Sequence, residues 1–140
     1  MSLDSTATAH WEGDLLSGAG VTTLTSGAGG PFPVDWKARS EDHRGKTSPE
    51  ELIAAAHATC FSMALSNGLG KAGTPPDVLD VTATATFVPG EGITSMVLVL
   101  SGTVPGISDD EFRKAAEDAK ENCPVSQALR GNVPITLEMK

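Results

Sequence analysis

The chain has 140 residues, 39% of them hydrophobic, and 18 acidic against 10 basic side chains give it a formal net charge of −8. That length predicts a single domain, residues 1–140, with a modest hydrophobic core. The acidic balance argues against nucleic acid and anionic membranes as partners, because binding phosphate groups needs clustered Lys and Arg side chains.

The amino-terminal residues show no basic-then-apolar signal pattern, and we expect no apolar run that approaches the ~18 residues of a membrane-spanning helix. A cytoplasmic protein is the simplest interpretation. Thiols are kept reduced in the cytoplasm, so a disulfide between the two cysteines, Cys60 and Cys123, is expected to be catalytic or transient rather than structural.

The first third of the chain predicts a β-hairpin and then a long loop. Residues 6–11 alternate in polarity, residues 21–25 are rich in β-branched side chains, and a glycine-containing stretch connects them. Residues 26–46 are polar and interrupted by glycine and proline, which predicts a loop. A loop of that length in a small domain is usually functional or disordered.

The strongest helix signal begins at Ser48. Ser48 fits the N-cap, Pro49 the first helical position, and Glu51 completes a capping box. Apolar residues then occupy nearly every face as far as Leu69, which predicts a helix that is buried all round. Two hairpins of one chain cannot cover every face, so we expect a second copy of the chain to cover the rest, as a homodimer.

Alternating and capping patterns predict the remaining elements. Two strands are predicted at residues 80–88 and 93–104, two helices at 108–119 and 124–129, and a last strand at 133–139. Ser108 and Glu111 form a second capping box, at the start of the first of these helices. The predicted class is α+β, with antiparallel strands around a central hydrophobic helix.

The two cysteines predict sulfur chemistry. Cys60 lies in the apolar helix, far from Cys123 in the sequence, so no local zinc-type spacing explains the two. Cys123 stands directly before Pro124 at a predicted helix start, where unpaired backbone N–H groups and the helix dipole favour a thiolate. A thiol in an apolar pocket with a second thiol at a helix start is what a two-cysteine peroxide-reducing site needs.

A thiol in an apolar helix also needs a cationic neighbour, because burial raises its pKa. Arg39 and Arg44 precede the helix and are the candidates, and Glu50 is the natural partner to fix a guanidinium through a bidentate pair. Glu50 precedes Cys60 by roughly 15 Å of helix, which favours a site shared between two antiparallel subunits. The alternative role for Glu50 is a favourable charge at the helix start.

Three alternatives remain open. His57 can share a helix face with Cys60, as in an acyl-transfer enzyme, although no glycine-rich oxyanion-type turn accompanies it and a lone histidine is more often a core residue. A metal site has no ligand spacing to recommend it, and no cofactor is expected. A redox-sensing or ligand-binding dimer, oxidised without efficient turnover, is the alternative of a different functional class.

Two segments carry a specific resemblance, residues 47–66 (TSPEELIAAAHATCFSMALS) and residues 123–127 (CPVSQ). Together with residues 9–14 and 104–107 they resemble the OsmC/Ohr family, in its OsmC branch, over nearly the whole chain. The resemblance implies a peroxiredoxin-like thiol peroxidase of the bacterial cytoplasm that reduces organic hydroperoxides in preference to hydrogen peroxide. The implied fold is OsmC-like, an intertwined homodimer with antiparallel β-sheets wrapped around central helices.

The resemblance also implies a role for each residue of the site. Cys60 matches the peroxidatic cysteine, Cys123 the resolving cysteine, and Glu50 the glutamate that holds a catalytic arginine. Arg39 is the better match for that arginine, with Arg44 as the fallback. The implied cycle runs through a Cys60 sulfenic acid and a Cys60–Cys123 disulfide, which a dithiol, typically a dihydrolipoyl group on a protein, then reduces.

Overall fold

The chain divides into two units, residues 1–52 and 53–140, and the computed structural model describes every residue of both. The first unit contains an antiparallel sheet of three strands in the order β1-β2-β3, which span Ala7–Glu12, Ala19–Leu24 and Phe32–Val34. The predicted hairpin is therefore confirmed. All six residues of β1 are exposed, so neither face of this strand is covered within one chain.

The prediction of a continuous loop over residues 26–46 is wrong. Strand β3 and a short helix, α1 (Trp36–Ser40), lie within it. Asp35 caps α1 by accepting a backbone N–H, and it also pairs with Lys46 and Arg44. The hydrogen bond from Lys46, more than any other contact, lowers the pKa of Asp35 to about 2. A three-residue strand and a five-residue helix are too short to produce a periodic pattern.

Helix α2 spans Pro49–Lys71 and begins where its capping residues predict. The Ser48 hydroxyl accepts the Glu51 backbone N–H at 3.1 Å. The capping box is only half formed, however, because the Glu51 carboxylate accepts the Thr47 hydroxyl at 2.6 Å. One orphan N–H of the first turn is thus satisfied by a side chain, which fixes the start of the helix.

A single chain covers only one face of α2, as expected if a second copy is needed to cover the rest. Every fourth residue along one face is buried, namely His57, Phe61, Leu65 and Leu69. The opposite face is open, and 67% of Met63 is exposed. Hydrophobic composition identified an apolar helix correctly, but it does not specify which faces find a partner within the same chain.

Helix α2 is also long and apolar enough, by length and composition, to cross a membrane. The expectation that no apolar run approaches the spanning length is therefore wrong. This is a weak indication of a membrane role, since core helices of soluble proteins pass the same test. The buried face of α2 carries His57, whose side chain hydrogen-bonds Ser126 within the second unit.

The second unit contains a sheet in the order β4-β5-β6, with strands at Val78–Val88, Gly92–Thr103 and Ile135–Met139. Strands β4 and β5 pair antiparallel, as predicted, but β5 and β6 pair in parallel. The wholly antiparallel arrangement is thus wrong for β6. Two helices, α3 (Asp109–Asn122) and α4 (Pro124–Leu129), separate β5 from β6 and supply the long connection that a parallel pair requires.

The core of the second unit lies between β5, α2 and α3. Met96, Leu98 and Leu100 alternate along β5 and are fully buried, as expected for one face of a strand. The core cluster of this unit combines residues of these three elements with Cys123: Phe61, Leu65, Leu69, Leu98, Leu100, Ala116, Ala119 and Cys123. The α+β class is confirmed, and the fold places one of the two cysteines in the core.

Candidate functional site

The second unit brings the two cysteines together. Both are free thiols, Cys123 is fully buried and Cys60 is half-buried, and they lie close enough for Cys123 to raise the pKa of Cys60. Cys60 projects from α2. Cys123 forms the corner between α3 and α4, since it is the C-cap of one helix and the N-cap of the other. The predicted pair therefore lies in one site although it comes from distant parts of the sequence.

The surroundings of Cys60 keep it protonated. Burial is the largest of the effects that raise its pKa, and Cys123 raises it further. A hydrogen bond from the Val125 backbone N–H acts in the opposite direction. None of these contributions comes from a cation, so the thiolate that sulfur chemistry needs requires a positive charge from another source.

The first unit holds a positive charge in a fixed position. Arg39, on α1, donates from Nε to both Glu50 carboxylate oxygens at 3.1 and 3.2 Å, and from Nη2 to Oε1 at 2.8 Å. Glu50 is the second residue of α2 and only 5% of it is exposed. This geometry is a two-pronged ion pair, which orients a guanidinium far more strictly than a single contact.

Arg44 does not take that place. Its Nη2 atom donates to both carboxylate oxygens of Asp35 at 3.0 Å, and its side chain is largely exposed. Asp35 was missed as a partner in the sequence, where the only signal was a potential capping residue before Trp36. Of the two candidate arginines, the structure joins Arg39 to Glu50.

His57 is committed to a different partner from the one considered in the sequence. Its Nε2 atom hydrogen-bonds the Ser126 hydroxyl at 2.7 Å, and both residues are buried. No hydrogen bond joins His57 to Cys60, which removes the geometric basis of a Cys–His acyl-transfer pair. Burial lowers the pKa of His57, so the ring is neutral near pH 7. Ser126 was not identified from the sequence as a site residue.

A cavity of about 870 Å³ opens beside Cys60. Its lining in the second unit combines apolar residues of α2 and α3, such as Met63, Leu69 and Ala115, with a few charged ones, including Lys71 and Lys114. A largely apolar cavity with a few polar groups suits a ligand that has an apolar body. The half-buried Cys60 therefore faces a space that an organic molecule can occupy.

Comparison with known proteins agrees with this geometry. The OsmC-like protein family matches residues 41–138. Peroxiredoxin OsmC of Escherichia coli strain K12 is 41% identical over 143 aligned positions, which cover 100% of this chain and 99% of that protein. The organic hydroperoxide resistance protein OsmC of Legionella pneumophila has a similar structure, with a TM-score of 0.69, 26% identity and coverage of 99% and 97% of the two chains. OhrB of Bacillus subtilis, an organic hydroperoxide resistance protein, gives a TM-score of 0.69 at 25% identity, over 96% and 98%.

Proposed function

This chain belongs to the OsmC family, and from that premise we propose that it is a thiol peroxidase that reduces organic hydroperoxides to alcohols. Cys60 is the peroxidatic cysteine and Cys123 the resolving cysteine. One observation carries the proposal: two free thiols lie close together, and one of them, Cys60, lines a largely apolar cavity.

The reaction has three steps. The Cys60 thiolate attacks the distal oxygen of the hydroperoxide, the O–O bond breaks, and the leaving alkoxide takes a proton to become the alcohol. The Cys123 thiol then attacks the sulfenic acid on Cys60; the S–S bond forms, the S–O bond breaks and water leaves. A dithiol reduces the disulfide by thiol–disulfide exchange and restores both thiols.

The cation that Cys60 needs is Arg39, held by Glu50, and we propose that it comes from a second subunit. Glu50 and Cys60 lie roughly 15 Å apart along α2, so one helix alone does not bring the ion pair to the thiol. Two antiparallel copies of α2 would place Glu50 of one subunit near Cys60 of the other. The guanidinium lowers the thiol pKa and its planar fork orients the peroxide oxygens.

Two further observations support the homodimer. The face of α2 that carries Met63 is open in a single chain, and both faces of β1 are exposed. An exposed apolar face of this kind marks an interaction site. In the proposed assembly the α2 helices pack together at the centre, the sheets of both subunits wrap around them, and residues 1–140 function as one domain.

The site favours one class of substrate, and the family suggests the reductant. An apolar cavity favours an organic hydroperoxide over hydrogen peroxide, since burying the organic group adds binding free energy. The reductant is a dithiol, of the dihydrolipoyl type carried on a protein. The acidic chain functions in the cytoplasm, where such reduced dithiols are maintained.

The test is to mix the reduced protein with excess cumene hydroperoxide or hydrogen peroxide, and to follow free thiols and the intact mass under non-reducing conditions. We expect both thiols to disappear together with two hydrogen masses, and much faster with the organic peroxide. Cys60→Ser should abolish turnover, and retained activity would refute the scheme. Cys123→Ser should leave the first oxidation intact and stall the recycling.

The competing function is a redox-sensing or ligand-binding dimer. The raised pKa of Cys60 is the observation in its favour, because a protonated thiol reacts slowly with peroxide. Slow oxidation by either peroxide, without recycling by dithiols, would establish that function instead.

A further inference from the structure

The buried hydrogen bond between His57 and Ser126 lies one helical turn from the cysteine pair. His57 precedes Cys60 on α2, and Ser126 follows Cys123 on α4, by the same number of residues. Three residues of an α-helix advance about 4.5 Å along the axis and return close to the same face. The 2.7 Å contact between His57 and Ser126 is therefore a second attachment between the same two helices that carry the thiols.

Helix α4 is held by the packing of Val125 against the core and by the Val125 backbone N–H at Cys60, as well as by the His57–Ser126 hydrogen bond. It contains only six residues, Ser126 is its only buried residue, and Cys123 at its N-cap makes no side-chain capping hydrogen bond. Cys123 is also the corner at which α3 ends, so its direction depends on how α4 is held. The His57–Ser126 hydrogen bond is the contact made by the one fully buried side chain of α4, and it limits rotation of α4 about the corner at Cys123.

The histidine is an unusual choice for its position. It continues the stripe of buried residues formed by Phe61, Leu65 and Leu69, where an apolar side chain would pack without any polar group to satisfy. Its Nδ1 atom is buried and has no hydrogen-bond partner. Such unsatisfied buried groups are rare because they cost stability, and a retained one calls for an explanation other than packing.

We propose that His57 and Ser126 are positioning residues for the resolving step: their hydrogen bond holds α4 so that the Cys123 sulfur stays within bonding reach of Cys60. This inference rests on the proposed two-cysteine peroxidase. It assigns the pair no role in the attack on peroxide, because the two buried side chains hydrogen-bond each other and not Cys60. In the resolving step Cys123 forms the S–S bond to the sulfenic acid of Cys60 and water leaves, and the pair acts only through the position of Cys123.

The sharpest variant removes both partners at once. In His57→Leu/Ser126→Ala the buried polar groups disappear together, so the protein should be at least as stable as the wild type. Disulfide formation should nevertheless slow by roughly tenfold, the factor by which one buried hydrogen bond changes an equilibrium constant. Ser126→Thr keeps the hydroxyl and should restore resolution. Ser62→Ala is the matched control, because the Ser62 hydroxyl bonds only to the Ala58 carbonyl of its own helix.

The experiment measures the two oxidation steps separately in rapid-mixing reactions with cumene hydroperoxide. A sulfenic-acid trap reports the first step, and loss of two hydrogen masses reports the disulfide. We expect the double variant to keep the wild-type first step, to form the disulfide slowly, and to accumulate sulfinic acid on Cys60 under excess peroxide. The equilibrium of its Cys60–Cys123 disulfide with a dithiol should shift toward the reduced protein by a similar factor.

The outcomes separate this inference from the proposed function. Wild-type protein that forms no Cys60 sulfenic acid would remove the peroxidase itself. A double variant that is folded and resolves at the wild-type rate would overturn the positioning role, as would one in which both steps slow equally. Failure of both the double variant and Ser126→Ala to fold would also overturn it, because the pair would then be a requirement for folding.

Discussion

Replacing Arg39 and replacing Glu50 should lower the stability of the protein by different amounts, although both changes break the same ion pair. Only 5% of Glu50 is exposed, whereas about a third of the Arg39 side chain is exposed. Arg39→Met leaves a buried carboxylate without its counter-ion. Glu50→Gln leaves a guanidinium that reaches water and an amide oxygen that still accepts one of its hydrogen bonds. The arginine variant should therefore be the less stable of the two.

The magnitudes follow from the exposure of each group. Breaking a fully buried pair costs about 3–5 kcal/mol, and the partial exposure of Arg39 reduces this to about 2–3 kcal/mol for Arg39→Met. Glu50→Gln loses the charge but keeps a neutral hydrogen bond, which corresponds to about 1 kcal/mol. Arg44→Met is the control, because Asp35 keeps Lys46 as a partner, and its stability should stay closest to that of the wild type.

Urea unfolding at pH 7 measures these differences, at one fixed protein concentration because the stability of the proposed homodimer would depend on concentration. Equal losses for Arg39→Met and Glu50→Gln, or a larger loss for Glu50→Gln, would refute the reasoning from burial. The same samples test the chemistry: Arg39→Met should slow Cys60 oxidation by roughly 10²-fold, as expected for loss of a preorganised electrostatic contact. Arg44→Met should retain the wild-type rate.

Three further predictions concern acid stability, the core and the open helix face. Lowering the pH from 7 to 5 should destabilise the protein by up to about 2 kcal/mol, because burial holds the pKa of His57 below the ordinary 6.5 and the unfolded chain takes up the proton first. Urea titrations at both pH values should show this loss in the wild type and not in His57→Leu. The pH range over which the ionisation of Asp35 affects stability lies lower, between 3.8 and about 2. Leu65→Ala should lower the free energy of unfolding by about 2–5 kcal/mol, since this side chain is fully buried. Val78→Ala, at a half-exposed position, should lower it far less. Equal losses of unfolding free energy would contradict the described core. Met63→Asp should shift sedimentation from dimer to monomer, and an unchanged dimer would exclude the open face of α2 as the interface.

Local signals predicted the elements that local physics determines. The alternation along β4 and β5 predicted these two strands. The capping residues at 48–51 and 108–111 predicted where two of the helices begin. The direction of β6 was wrong because it depends on where the chain returns after α3 and α4. Composition predicted an apolar α2 that one chain cannot cover fully, but it does not identify which face is covered within that chain.

Some contacts of the candidate site were likewise predictable from the sequence, and others were not. Chemistry predicted an arginine partner for Glu50 but left Arg39 and Arg44 both open; the resemblance favoured Arg39, and the structure pairs Arg39 with Glu50. Asp35 as the partner of Arg44 was not predictable, because it depends on the short helix that Asp35 itself caps. Ser126 was missed for a related reason: a buried hydrogen bond to His57 requires the three-dimensional path of the chain between them.

On the proposed function, the reactivity of Cys60 depends on assembly. Within the second unit, burial and Cys123 raise the pKa of Cys60, which disfavours the reactive thiolate. The oriented cation belongs to the first unit, and on the proposed function it reaches Cys60 from a second subunit. Monomeric Met63→Asp should therefore alkylate at Cys60 slowly at pH 7, and should regain the wild-type rate only at a pH above the raised pKa. Rates of iodoacetamide labelling across pH in dimer and monomer measure this, with Cys123→Ser present in both so that one thiol reports. Identical profiles would show that the chain activates its own thiol and that the second subunit contributes no charge to the site.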